Sequence, residues 1–325
     1  MRLLIIRKAK ELQVKSRSII RIKKTDEEII DRPLRDIEAV LVIGSTIKIS
    51  SGLPPVLAYH NIPLSIIAKD SIAILHNPIK TRSNHIRYLQ YTLSTEKKHE
   101  IALEYIKTKI KGIQNIIKYH TGTTPTVPDP PSLTGDTETD EETIRTWESL
   151  TSSKLWKKLT TLIKPRYLKT LKEQYNFKGR KPRHPDPFNK TLSVMYAVIY
   201  SIATKALAAS GLDPTQGFLH KTRYSTPLTF DFTEMYKPLA IHATISMINK
   251  HGLPKIGNDG ELTQEHINQT IKYLYQFLTL RHKKTNKSIH TIIYLKAICL
   301  ARHLEGKCPM NKITFTWDKR NYIKK

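Results

Sequence analysis

Cysteine is nearly absent: the 325-residue chain has two, Cys299 and Cys308. They cannot build a disulfide framework or a four-cysteine zinc site, and reduced thiols in a cytoplasm are the simplest account. Acidic residues are the next scarcity, with 28 Asp+Glu against 54 Lys+Arg and a net charge of +26. An excess of this size costs self-repulsion in the folded state, so it points to a polyanionic partner. Long hydrophobic runs are missing too. None approaches the ~20 residues that span a bilayer, and no basic amphipathic anchor stands out. The start, Met1-Arg-Leu-Leu-Ile-Ile-Arg-Lys, is charged too soon for a signal peptide and reads as a first strand. Nucleic acid, not membrane, is the expected partner. At 39% hydrophobic and 8% aromatic the composition is that of a globular protein.

Residues 1–76 carry short β-rich apolar runs with turn chemistry between them. The expected strands are Leu3-Ile6, Ser18-Ile22, Ala39-Ile43, Ser65-Ala68 and Ile72-Leu75, with a proline-entered helix over Gly52-His60. From Asn77 the period changes. Leu103, Ile106, Ile110, Ile113 and Ile117 recur at helical spacing, with lysines on the opposite face. The proline-rich stretch from Thr121 to Pro131 ends that helix. The acidic run Asp136–Glu142 reads as a mobile loop and helix start. The next helix carries Ile144, Trp147, Leu150, Leu155 and Leu159. A loop over Asn176–Asn189 opens into an apolar helix through Met195 and Ile199, and further helical patterns run Phe232–Asn249, Gln264–Leu280 and Ile289–Leu304. The reading is an α+β multidomain chain: a small β-rich domain over 1–76, suited to association, then a larger all-α catalytic domain over 77–325.

The most telling stretch is Gly211-Leu-Asp-Pro-Thr-Gln-Gly-Phe-Leu-His220, followed by Asp231-Phe-Thr-Glu234. A punctuated turn delivers one imidazole, and a second segment delivers two carboxylates on one face if a helix begins near Asp231. Such a nitrogen and oxygen set suits manganese or magnesium. Asp231 also fits an N-cap, with Glu234 as its capping-box partner. In so basic a chain, the metal reading points to phosphodiester chemistry.

These segments resemble the CRISPR-associated protein 1 family. Gly211 to His220 is similar to its Gly-x-Asp-Pro…Gly-x-x-His element. Leu228-Thr-Phe-Asp231-Phe-Thr-Glu234-Met-Tyr-Lys237-Pro238 resembles Leu-x-x-Asp-x-x-Glu-x-x-Arg-Pro, with lysine in place of the arginine. Gly179-Arg180 with Asp186-Pro-Phe-Asn189 looks like Arg…Asp-Pro-x-Asn, and Trp147-Glu148 to Trp156 keeps a glutamate and a tryptophan at the family's spacing while losing its glycine and arginine. The resemblance implies a DNA endonuclease and integrase of spacer acquisition, with Mg2+ or Mn2+ held by Glu148, His220 and Glu234 and with Asp231 as a further acid. Asp231 either accepts a proton or holds the tautomer of His220. The family further implies a homodimer through the β-domain, CRISPR-associated protein 2 as partner, and double-stranded and branched DNA as substrate. Arg180, Lys181, Arg183, Lys221, Arg223 and Lys237 flank the motifs as candidate phosphate contacts. The alternatives are a casposon-type integrase, which often carries an extra carboxy-terminal domain for which this chain leaves no room, and a catalytically silent DNA-binding subunit.

Overall fold

The computed structural model describes residues 3–7, 9–25, 27–44, 46–68, 72–75, 84–220 and 225–324. The order is β1 (Leu3–Arg7), β2 (Glu11–Ser16), β3 (Ile19–Lys23), β4 (Ile29–Pro33), β5 (Ala39–Ile43), β6 (Lys48–Ile49), α1 (Leu53–Tyr59), β7 (Leu64–Ile67) and β8 (Ile72–Leu75). Helices then dominate: α2 (Asn84–Thr92), α3 (Thr95–Thr121), α4 (Thr137–Thr160), α5 (Pro165–Tyr175), α6 (Pro187–Ala209), α7 (Pro227–Thr233), α8 (Lys237–His251) and α9 (Gln264–Leu278). The chain closes with β9 (Arg281–His282), α10 (Ile289–Leu304), α11 (Met310–Ile313) and β10 (Tyr322–Ile323).

The amino-terminal strands form two four-stranded sheets, β1-β5-β7-β8 and β4-β3-β2-β6. In the first, β1, β5 and β7 run parallel and β8 closes it antiparallel. Strand alternation sorts its side chains between two cores. Leu4, Ile6, Val40, Val42 and Leu64 face the second sheet and α1, joining Leu12, Ile20, Leu53 and Leu57. Leu3, Ile5, Ile43, Ile72 and Ile74 face the helices instead. With both faces covered, these strands read as unbroken apolar runs rather than alternating ones. Ser65 of β7 also hydrogen-bonds Ser201 of α6 at 2.7 Å. The expected boundary near residue 76 falls among residues outside the described ones, but the β and α parts share this sheet as a wall.

Sequence reading passed over β2, β4 and β6. The β2 segment does alternate, with Leu12 buried and Glu11 and Gln13 less so, but its charges obscured the signal. β4 is an edge strand whose Asp31 accepts from Arg21 Nε at 2.9 Å and from Lys15 at 2.6 Å across the ladder, so ion pairs do the work that apolar periodicity did elsewhere. The acidic run starts a helix, as expected, but is not a mobile loop. Asp136 caps α4 through Thr139 N at 3.1 Å, and the remaining acids lie within the helix. Buried Asp140 accepts from Thr134 N, Thr134 Oγ1 and Gly135 N, pulling the preceding turn onto α4.

α6 runs through the centre of the helical part and is buried along most of its length. Among the described residues it alone is long and apolar enough to cross a membrane, yet 72% of its most apolar window is buried inside the fold. Around it, α8, α9 and α10 pack with Trp317 and Tyr322 from the chain's end. His242 of α8 accepts from Trp317 Nε1 at Nδ1 (3.1 Å), so its Nε2 holds the proton shared with His120 Nε2, also at 3.1 Å. Burial first, with His120 and Lys319 adding, pushes the His242 pKa down to about 3 from 6.5. The unfolded chain takes up that proton near pH 6.5 and the fold refuses it until about pH 3, so stability should fall as pH drops through that window. Urea melts should show about 2 kcal/mol less stability at pH 5 than at pH 7 from this group. His242→Gln, which can still accept from Trp317, should lose less on acidification; an equal loss in both proteins would count against the assignment.

Candidate active site

One pocket is lined by Glu148 from α4, His220 from the loop after α6, Asp231 from α7 and Glu234 from the 3-10 turn that follows it, with Ala102, Ile106 and Leu219 as its apolar wall. The carboxylate pair does not sit at a helix start. Asp231 lies inside α7, whose N-cap is Thr226, so the N-cap and capping-box reading of Asp231 and Glu234 is excluded. The expected helix from Phe232 is broken at Glu234–Tyr236, and α8 begins at Lys237.

Asp231 is 2% exposed and its oxygens are fully engaged. Oδ2 accepts from Phe218 N at 2.6 Å and Leu219 N at 3.1 Å, while Oδ1 accepts from His220 N at 3.1 Å and meets His220 Nδ1 at 2.6 Å. An ionised carboxylate between four such donors fixes the proton on Nδ1, which leaves Nε2 as the ring nitrogen with a lone pair. Gly217 makes this approach possible. A Cβ there would meet His220 O at 2.6 Å, Pro227 Cβ at 2.8 Å and Asp231 Oδ2 at 2.9 Å, so no side chain fits. Upstream, the Gly-Leu-Asp-Pro part of the element is structural. Buried Gln90 of α2 donates to Asp213 O and Gln216 O and accepts from Asp213 N, while the Asp213 carboxylate accepts from Tyr91 Oη and Thr215.

The other half of the pocket is electrostatic. Lys109 Nζ of α3 bridges Glu148 Oε1 and, at 2.7 Å, Glu234 Oε2; Lys237 Nζ pairs with Glu234 Oε1. Burial alone would raise the Glu234 carboxyl, but Lys109 and Lys237, with His220 behind them, hold it well below the ordinary carboxylate range. Burial likewise opposes the charge of Lys109, and Glu234 and Glu148 outweigh it, so its pKa is raised. Lys109 is what sequence reading missed. The lysines were assigned to the solvent face of α3, yet Lys109 sits in the buried stripe with Tyr105, Ile106 and Ile113. A lysine at a core position is itself a signal, since it is almost never buried unpaired.

The acids and histidine fit a hard divalent cation by chemistry: two carboxylates and one imidazole, with Glu234 Oε2 buried and without a hydrogen bond among the described residues. Among those residues no group of three or more His, Cys, Asp or Glu already stands at ligating separation; Lys109 stands between two members of this one.

The candidate phosphate contacts divide. Arg180 is half-buried, donates to Asn189 Oδ1 at 3.0 Å and lies 5.5 Å from the centre of the Tyr196 ring. Asn189 is held in turn by Asp186, the α6 N-cap, so Asp-Pro-Phe-Asn staples the 179–186 loop to α6. Lys181 and Arg183 are exposed on that loop. Lys237 faces Glu234 and the same Tyr196 ring, at 5.8 Å, rather than open solvent. Lys221 and Arg223 lie outside the described residues.

Residues 3–276 match the family model for CRISPR associated protein Cas1. The chain belongs to that family. A segment of 66 residues is 52% identical to the CRISPR-associated endonuclease Cas1 of Hyperthermus butylicus, a match spanning 20% of each chain. Over 258 residues the chain is 25% identical to the CRISPR-associated endonuclease Cas1 2 of Saccharolobus solfataricus, covering 76% of this chain and 78% of that one. In fold it resembles a casposase bound to its integration product, with a TM-score of 0.74 at 17% identity over 97% of this chain and 94% of that one. An identity so low carries the fold of the family and not its chemistry.

Proposed function

We propose that the chain is a divalent-metal-dependent DNA endonuclease and integrase of CRISPR adaptation, inserting short DNA fragments into a CRISPR array by attack of a 3′-OH on a phosphodiester. The observation that carries this reading is the meeting of Glu148, His220 and Glu234 in one pocket of a chain with net charge +26. Glu148, His220 through Nε2, and Glu234 would hold Mg2+ or Mn2+. When bound, the cation neutralises a non-bridging phosphate oxygen and the leaving 3′ oxygen. The rest falls to the chain. Asp231, with every oxygen lone pair committed to the loop and to His220, serves as the positioning residue for the imidazole and not as the proton acceptor. Lys237 keeps Glu234 ionised. Lys181 and Arg183 meet the phosphate backbone, and Ala102, Ile106 and Leu219 keep bulk water from the pocket floor. The working assembly in this reading is a homodimer through the β-domain with CRISPR-associated protein 2, acting on double-stranded and branched DNA in the cytoplasm.

A casposon-type integrase, with the same chemistry and a different DNA target, is the second reading. Joining that selects a leader–repeat junction over other duplexes separates the two. A silent subunit would bind DNA and join nothing in Mn2+.

Charge and chemistry are separable. Duplex binding should need no metal, and its affinity should fall log-linearly with salt through counterion release. Glu234→Ala should bind DNA as well as the wild type, or slightly better, while joining collapses. Lys181→Ala with Arg183→Ala should weaken binding and flatten the salt slope by about 2. Parallel loss of binding and joining in Glu234→Ala, read by fluorescence anisotropy and a branched-substrate assay, would make that residue structural.

A further inference from the structure

Resting on the metal reading above, we propose that Lys109 is a resident cation of the pocket: it bridges Glu148 and Glu234 in the unloaded protein and yields both carboxylates to the incoming divalent ion, so that metal affinity is set by a competition within the chain.

The geometry puts the ammonium where an ion would go. Lys109 comes from α3, Glu148 from α4 and Glu234 from the turn beyond α7, and among the described residues nothing but Lys109 Nζ joins the two carboxylates. Its side chain is 10% exposed and that of Glu234 is 5%, so water does not screen the pair. At Glu234 Oε2 the contact is an ion pair at 2.7 Å without hydrogen-bonding geometry, which leaves that buried oxygen without a hydrogen bond. An oxygen held by an ion pair alone is readily re-bonded, whereas Asp231 beside it has its donors in place and does not need to move. Glu234 Oε1 is kept by Lys237, so displacement of Lys109 frees one oxygen without releasing the side chain.

The charges argue for exchange and against co-occupancy. Glu148, Asp231 and Glu234 carry three negative charges, and Lys109 and Lys237 two positive ones, all within one cluster. A divalent ion at the same oxygens would face the Lys109 ammonium as a like charge at contact range. The four-carbon stem of lysine lets the ammonium withdraw toward the pocket mouth with its methylenes still packed. The consequence is a pocket that neither collapses nor repels itself apart without metal, and that binds the ion less tightly than its ligands would allow.

The test is Mn2+ calorimetry on EDTA-stripped full-length protein, with thermal melting alongside. Lys109→Met should bind Mn2+ about tenfold tighter than the wild type. It should also melt lower than the wild type in EDTA and gain more from added Mn2+, since stabilisation follows the ratio of ligand to Kd. Lys109→Arg, which keeps the charge and grips two carboxylates with its fork, should bind Mn2+ no tighter than the wild type and guards against a misfolded methionine variant. Equal or weaker binding by a folded Lys109→Met, or tighter binding by Lys109→Arg, overturns the proposal while His220→Ala, losing Mn2+, upholds the metal site. If the wild type and Lys109→Met both bind no Mn2+, the metal reading fails and the competition with it.

Discussion

His220→Ala should lower metal-dependent cleavage and joining of branched DNA by about 10³-fold or more. The imidazole is the sole nitrogen among the three candidate ligands, and its ring is oriented from behind by Asp231 at 2.6 Å. The fold should survive. Asp231 keeps three backbone donors, from Phe218, Leu219 and His220, after the ring is gone. The cost in stability should therefore be about 1 kcal/mol, the size of one hydrogen bond. Time courses in Mn2+ and urea melts give both numbers. Activity within tenfold of the wild type would remove His220 from the chemistry.

Asp231→Asn should be worse for the protein as a whole, and for a geometric reason. The two oxygens of Asp231 each meet two donors, so whichever way the amide of an asparagine is turned, its NH2 faces two N–H groups. With the NH2 toward Phe218 and Leu219, two buried backbone donors go unsatisfied; with it toward His220, the backbone N–H of His220 does, and the ring must accept at Nδ1 and carry its proton on Nε2 instead. A fall of about 3 kcal/mol in stability is expected from the unpaired donors. A fall of about 10²–10⁴-fold in joining is expected from the lost orientation and tautomer. DNA affinity in EDTA should hold, because the proposed phosphate contacts, Lys181 and Arg183, lie elsewhere. An Asp231→Asn variant that joins DNA at the wild-type rate would show that the tautomer of His220 is set by something else.

How much of this was legible in the sequence follows from the range of the forces involved. α3 was read from apolar periodicity because it buries one stripe, with Ile106, Ile110, Ile113 and Ile117 all in the core. Acids in the first turn marked the start of α4, which Asp136 caps, whereas the cap at Asp186 went unread within the expected loop. β4 was lost because it is an edge strand held by Arg21 and Lys15 on Asp31, a pairing across strands that leaves no local period. In the site, His220, Asp231 and Glu234 stood out from their residue types and spacing, and Glu148 came with the family resemblance. Their partnership did not stand out: Lys109 meets Glu148 across 39 residues of sequence, and nothing short of the packing of α3 on α4 announces it. The acidic run was read rightly as a helix start, but its mobile-loop half failed for the opposite reason. Asp140 looks like one more solvated charge, and only the Thr134–Gly135 turn folding onto it makes it a buried anchor.

The shared sheet described above has a mechanical consequence. α6 spans about 34 Å at the ordinary helical rise. Near its middle it touches β7 through Ser201, at its start it carries Asp186 and Asn189 under the basic loop, and between them Tyr196 faces both Arg180 and Lys237. One rigid strut thus joins the strand layer, the basic 179–186 loop and the lysine that holds Glu234. A partner that grips the strand layer from outside grips the frame of reference of the pocket, and the angle at which DNA must arrive is set far from the atoms it will meet.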